Sequence, residues 1–223
     1  MSIRFTASAV DAARASVPLL AVLLPSEAKL PRSLAALDKA TRGALSLAIK
    51  RGDFTGARDE SLLVLNPGAG PQRVLLVGCA GNDTKSLTRA ATLAGRKATA
   101  LNVGTMSLWA PELQGERVEG VVAGVSLGSW EFRELMSAPA AGKPRTPLSA
   151  VSVCVENVAA TKAALQAGIA IAEGQRLARR LAMLPGNICT PSYLAETATR
   201  MAARHGFKAT VLGTLVLVGV SYF

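Results

Sequence analysis

The sequence predicts an α/β protein. Three observations lead there. Apolar runs of strand length, Val17–Leu24 and Arg73–Val77, are each followed by a turn signal and then by a segment of helical period. Strand and helix signals alternate over about residues 1–155, as they do when helices connect the strands of one sheet. The 223 residues are half hydrophobic but only 4% aromatic, so Ala, Val, Leu and Ile must build the core.

In chain order, Ile3–Phe5 is a short edge strand. Val17–Leu24 is the central strand, closed by Pro25. A secretory signal is the other reading of that run; Asp11 in its would-be basic region and the lack of a small-x-small cleavage site stand against it. Pro31 opens a helix with Leu34, Leu37, Ala44, Leu45 and Ala48 at helical spacing, and Gly52 caps it. Ser61–Leu65 is a short apolar run ahead of the Asn66-Pro67-Gly68 turn. The strand Arg73–Val77 leads through Gly78 to a helix from Lys85 to Ala100. A further helix is predicted over Val118–Met136, in which Gly120, Gly124 and Gly128 mark weakness or close packing. Ala138–Pro147 reads as a loop, Ala150–Val155 as a strand and Ala159–Leu184 as a long helix. Pro185-Gly186 breaks that helix. Another spans Pro191–Arg204, capped by Gly206, and Lys208–Leu212 reads as the start of a new strand.

Composition narrows the function classes. No apolar run approaches the ~20 residues that cross a bilayer. Cys79, Cys154 and Cys189 are odd in number and far apart, which fits reduced thiols in a cytoplasmic protein. His205 is the single histidine, so no zinc site is legible from spacing. The net charge is +10, which leaves a nucleic-acid partner open.

Each chemical candidate has a plainer reading beside it. Gly78-Cys79-Ala80-Gly81, between strand and helix, offers an anion cradle, yet it lacks the Walker and GxGxxG patterns and reads better as a tight turn. Asp53 and the Asp59-Glu60 pair could act as acid and base, or sit as solvated loop charges. Arg176, Arg179 and Arg180 could meet phosphates, but no aromatic platform lies among them for stacking. Cys189 would need His205 as its base and reads better as a structural thiol. Aspartate stops at Asp83, and beyond it the acids are glutamates ending with Glu196, too sparse for a two-metal hydrolytic centre in the last third.

Four segments together resemble the leucine (cytosol) aminopeptidase family. They are Leu34–Phe54, Arg73–Gly78, Ala172–Leu181 and, most specifically, Leu184–Ala195 with its Asn-x-x-Thr-Pro-x-x-Leu-Ala pattern. Met183 departs from that pattern, where the family has Asn. The resemblance runs from about Ser16 to Gly213. It implies a macro-like N-terminal domain with a mixed sheet flanked by helices (1–155), a linker helix (156–184) and the incomplete start of a metallopeptidase domain (185–223). It also implies a cytoplasmic hexamer that removes N-terminal residues from peptides with two divalent metals, manganese or zinc. The family's catalytic lysine and its Asn-Thr-Asp-Ala-Glu-Gly-Arg motif have no counterpart here, so no catalytic, cofactor or metal residue is assigned. Residues 185–223 are expected to be poorly ordered, with an apolar tail prone to strand pairing.

Overall fold

A computed structural model describes residues 3–9, 11–26, 29–136 and 146–212. Its strands are β1 (Arg4–Ser8), β2 (Leu20–Pro25), β3 (Ser61–Leu65), β4 (Arg73–Ala80), β5 (Thr105–Trp109) and β6 (Ala150–Cys154). The helices are α1 (Ala35–Ala40), α2 (Ala44–Arg51), α3 (Thr84–Ala100), α4 (Glu116–Ser129), α5 (Val158–Met183) and α6 (Pro191–His205). The strands form one mixed sheet in the order β1-β6-β5-β2-β4-β3; only β3 runs antiparallel to its neighbour.

The continuous apolar run of β2 has its reason in this order. The strand lies between β4 and β5, and a parallel strand covered on both faces needs apolar side chains on both. Leu20, Val22 and Leu24 face one core with Leu34, Leu37, Leu45 and Phe54 from the α1–α2 layer. Leu19, Ala21 and Leu23 face the other, with Leu87, Ala91, Val121 and Val125 from α3 and α4. Burying each leucine contributes about 1.5–3 kcal/mol.

Small residues set the spacing of the second layer. A Cβ on Gly124 would stand 2.3 Å from the Thr88 carbonyl oxygen, and one on Gly128 1.9 Å from that of Thr92. Thus α3 and α4 touch backbone to backbone, and the glycines of α4 mark close packing. Gly168 repeats the device where α5 meets Glu119 and Val122.

Several elements differ from expectation. β2 starts at Leu20, not Val17, because Pro18 has no N–H to give the ladder. The helix expected after Pro31 is split: Pro31 precedes a 3₁₀ turn (Arg32–Leu34), and α1 and α2 are parted by Arg42 and Gly43 at φ +57° and +77°. Buried Thr41 donates its hydroxyl to the carbonyls of Leu37 and Asp38, closing α1. α4 ends at Ser129, whose hydroxyl donates to Val125 O, and Trp130 is extended. Leu135 and Met136, expected on the apolar face of that helix, lie outside it and are exposed. β5 has no counterpart in the sequence reading. Residues 208–212 form no strand and are exposed. The loop expected over Ala138–Pro147 falls largely outside the described residues.

The chain divides into two compact units, Met1–Arg176 and Leu177–Phe223. The second unit holds α6, where the sequence predicts a helix over Pro191–Arg204. Thr190 caps it through Tyr193 N, Pro191 opens it and Gly206 closes it at φ +74°. Within this unit Arg180 donates to the Tyr193 hydroxyl at 2.8 Å. The apolar tail 213–223 lies outside the described residues.

The glycine contacts give a direct expectation. Gly124→Ala should lower the unfolding free energy by about 2–4 kcal/mol, since backbone must move to admit the methyl. Gly174→Ala, also helical but with nothing within 4 Å of its Cβ, should raise it by about 0.5–1 kcal/mol. Urea titration of both variants checks this, and equal effects would contradict the packing described.

Candidate functional site

The C-terminal ends of β2 and β4 carry the richest polar constellation. Here loop 55–60 docks against the strand ends. Gly56 has φ +77°, and a Cβ there would stand 2.2 Å from the Pro25 carbonyl oxygen. A Cβ on Gly78 would come within 1.9 Å of Ala57 O. Backbone bonds lock the seam: Ala80 N donates to Gly56 O and Gly78 N to Glu60 O, each at 2.9 Å. The Ser26 hydroxyl adds a bond to Gly56 O at 3.2 Å.

Glu60 organises the loop from within. Its Oε2 accepts from Thr55 N (2.9 Å), the Thr55 hydroxyl (3.0 Å) and Ala57 N (3.0 Å). Burial works to raise this carboxyl, but the donors from Thr55, Ala57 and Gly56 hold it below its usual range. Asp59, at φ +64°, accepts a two-pronged bond from Arg89 of α3 at 2.8 and 2.5 Å. That hydrogen bond, with the guanidinium charge, also lowers the Asp59 carboxyl. A general acid near neutral pH needs a raised carboxyl. Asp59 and Glu60 are both pulled the other way, so the pair ties the loop in place. Asp53 is exposed just beyond the Gly52 cap.

The turn after β4 resolves in favour of structure. Asp83 occupies the start of α3, accepting from Ser86 N (3.0 Å) and the Ser86 hydroxyl (2.6 Å), and these bonds lower its carboxyl. A carboxylate already fills the place an anion would take. Ala80 makes the bend at φ +62°. Sequence reasoning passed over Asn82, whose amide reaches Glu112 at 3.4 Å while its Oδ1 is buried without a partner. Glu112 in turn pairs with Arg117 at 3.0 Å. Nothing in the sequence singles out Asn82, because the contact spans 30 residues.

The remaining candidates separate. Cys79 is buried, and burial plus the Asp83 charge pushes its thiol up to about 12. Cys154 is pushed up to about 11, by burial and then Asp11. Neither forms a thiolate at neutral pH. Cys189 precedes α6 and His205 ends it, so the helix rise separates them by about 20 Å and they cannot act as a pair. Of the arginine cluster, Arg179 is exposed, Arg176 and Arg180 are half-buried, and Arg180 is engaged by Tyr193. Among the described residues no three His, Cys, Asp or Glu side chains come together to hold a metal.

The lowered carboxyls make stability pH-dependent. A group whose folded pKa lies below its unfolded value stabilises fully above the unfolded value and loses that contribution as pH falls through the folded one. Stability should therefore hold at neutral pH and fall as pH drops below the ordinary values of 4.5 for Glu60 and 3.8 for Asp59 and Asp83. Glu60→Gln should cost about 1 kcal/mol at pH 7 and flatten part of the acid limb. Urea midpoints across pH measure this, and an unaltered limb would remove Glu60 from the role given to it.

Comparison with known proteins agrees with this architecture. The N-terminal domain of the cytosol aminopeptidase family matches residues 21–139. A probable cytosol aminopeptidase of Burkholderia mallei (strain SAVP1) is 35% identical over 187 residues, covering 79% of this chain and 37% of that protein. Its counterpart in Burkholderia pseudomallei (strain 668) is 35% identical over 189 residues with the same coverage. The chain thus spans under two fifths of the length of these relatives. A mutant of tomato leucine aminopeptidase shares the fold at a TM-score of 0.75 and 22% identity, over 92% of this chain and 43% of that one. With a domain profile that takes in both the central strand and the docked loop, and relatives of this identity over most of its length, the chain belongs to the cytosol aminopeptidase family.

Proposed function

We propose that this chain is the accessory N-terminal portion of a leucyl aminopeptidase and has no peptidase activity of its own. In this reading residues 1–155 are the N-terminal domain, 156–184 the linker helix and 185–223 the opening of the catalytic domain. The whole protein would release N-terminal amino acids from peptides in the cytoplasm, as a homo-hexamer using two divalent cations, manganese or zinc. The family match over residues 21–139 carries the reading, because that match falls on the accessory domain.

The chemistry of the carboxylates supports it. Asp11 caps the 3₁₀ turn Ala12–Arg14 through Ala13 N, Asp38 accepts from Ser46 N at the start of α2, and Asp83 caps α3. Asp59, Glu112, Glu131 and Glu196 are in ion pairs with arginines. Glu60 holds its own loop. Two hydrolytic cations ~3.5–4 Å apart need several carboxylates converging on them. These groups are distributed among separate helix ends and loops, so the described residues do not fit such a pair, and no reaction step is derived through one.

Purified chain should show no turnover of a leucine chromogenic amide with manganese or zinc added. Turnover that a chelator abolishes would contradict the assignment.

A further inference from the structure

The strand β3 keeps one edge open. It is the last strand of the sheet, and β4 is its only neighbour among the described residues. Asn66 N donates to Gln72 O at 3.0 Å and Gly78 N to Glu60 O at 2.9 Å, so the even-numbered residues of this stretch turn their backbone groups to β4. Successive residues of a strand point those groups to opposite edges. The N–H and C=O groups of Ser61, Leu63 and Leu65 therefore face outward, away from β4. The side chains divide by the same alternation. Leu62 and Val64 pack on the core of the α1–α2 layer. Leu63 and Leu65 lie on the other face, 39% and 71% exposed, and the core beneath α3 and α4 takes no side chain from β3 among the described residues. Edge strands are ordinarily guarded by charge, proline or a bulge. Ser-Leu-Leu-Val-Leu has neither charge nor proline, and its ladder with β4 runs in continuous register. The opposite edge, β1, is guarded: Arg4 is exposed on it and Phe5 is buried.

We propose that β3 is a self-association edge, which pairs antiparallel with β3 of a second copy of this chain about a two-fold axis through Leu63. The hydrogen-bond phase of the strand selects that partner. With Leu63 on the axis, Leu63 meets its own counterpart and Ser61 meets Leu65, and these are the residues whose backbone groups point outward. Every outward donor then finds an outward acceptor. A register shifted by one residue would set Leu63 against Leu62, whose groups are already turned to β4. The paired residues are uncharged, so no like charges oppose one another across the seam. The exposed leucines of both copies come to lie on one face, where they shield each other from water. An unrelated strand could satisfy the backbone alone; a second copy also matches the leucines. A two-fold contact of this kind closes at a dimer. Five residues on each side bury less than the roughly 1,200 Å² of a standard interface, so the dimer is weak and forms at high concentration. Each copy carries a net +10, and salt strengthens the association by screening that repulsion. The pairing does not rest on the aminopeptidase assignment, since its readout is mass and exchange and not turnover.

The test uses the full chain in sedimentation velocity from about 1 to about 300 μM, the range in which a weak complex forms. The mass should rise from one chain toward two, and more readily at ~500 mM salt than at ~50 mM. Leu63→Lys sets two like charges against each other on the axis and should weaken association at least about tenfold. Leu65→Lys, at the more exposed position, should act in the same direction and serves if the first variant folds poorly. Leu47→Lys makes the same charge change at an exposed leucine of α2 and should leave the association unchanged. Hydrogen exchange reads the register. At the highest concentration the amides of Ser61, Leu63 and Leu65 should exchange at least about threefold more slowly than at the lowest. Those of Leu62 and Val64, turned to β4, should change less. A mass of one chain throughout, equal weakening by Leu47→Lys, weaker association at high salt, or exchange at Leu63 and Leu65 that ignores concentration would each overturn the pairing.

Discussion

The structure depends on one strand being sealed on every side. Leu20 to Leu24 of β2, and Leu19 just before it, are buried, and the strand's neighbours on both edges are parallel strands. Six consecutive apolar side chains satisfy two cores at once: the even-numbered ones meet the α1–α2 layer and the odd-numbered ones meet α3 and α4. Because β2 divides the molecule in this way, loss of its pairing would open both layers together. The glycine contacts extend the same constraint. Gly56 and Gly78 let a loop lie flush on the strand ends, and Gly124 and Gly128 let two helices meet at backbone distance. An Ala- and Val-rich core with few aromatics reaches native packing density by such close approach.

Polar groups serve this construction. A carboxylate beside a backbone N–H at a helix start, or inside a tight loop, is worth roughly 1 kcal/mol. Asp11, Asp38, Glu60 and Asp83 are each used so. The lowered carboxyls of Glu60 and Asp83 run opposite to the raised groups that proton-transfer chemistry needs. Among the described residues the cations of the α1–α2 layer make no side-chain ion pair, and Asp38 beside them is turned to the backbone.

What the sequence revealed follows the reach of its signals. Long periodic segments were legible: α3, α5 and α6 lie within one or two residues of expectation, and Gly52 and Gly206 cap helices as their positions predict. β5 was not legible. It is five residues long, interrupted by Ser107, and becomes a strand only because β2 and β6 flank it. The break between α1 and α2 was hidden because the apolar spacing continues across Arg42 and Gly43, while φ is set by tertiary packing. At the docked loop, Asp59 and Glu60 were visible as a pair of acids. Their real partners, Arg89 and the amides of residues 55–57, depend on how the chain returns on itself. The family resemblance, carried by segments such as Leu184–Ala195, reached further than local pattern because it reports a whole arrangement at once.

Native-state hydrogen exchange of the purified chain tests the central role of β2 most directly. The account predicts that amides of Leu20–Leu24 and of Val74–Val77 exchange only through global unfolding, at one shared free energy, with both helical layers losing protection at the same denaturant concentration. Exchange of the β2 amides at lower free energy than those of α3 and α4, or retention of protection in one helical layer after β2 has opened, would contradict it.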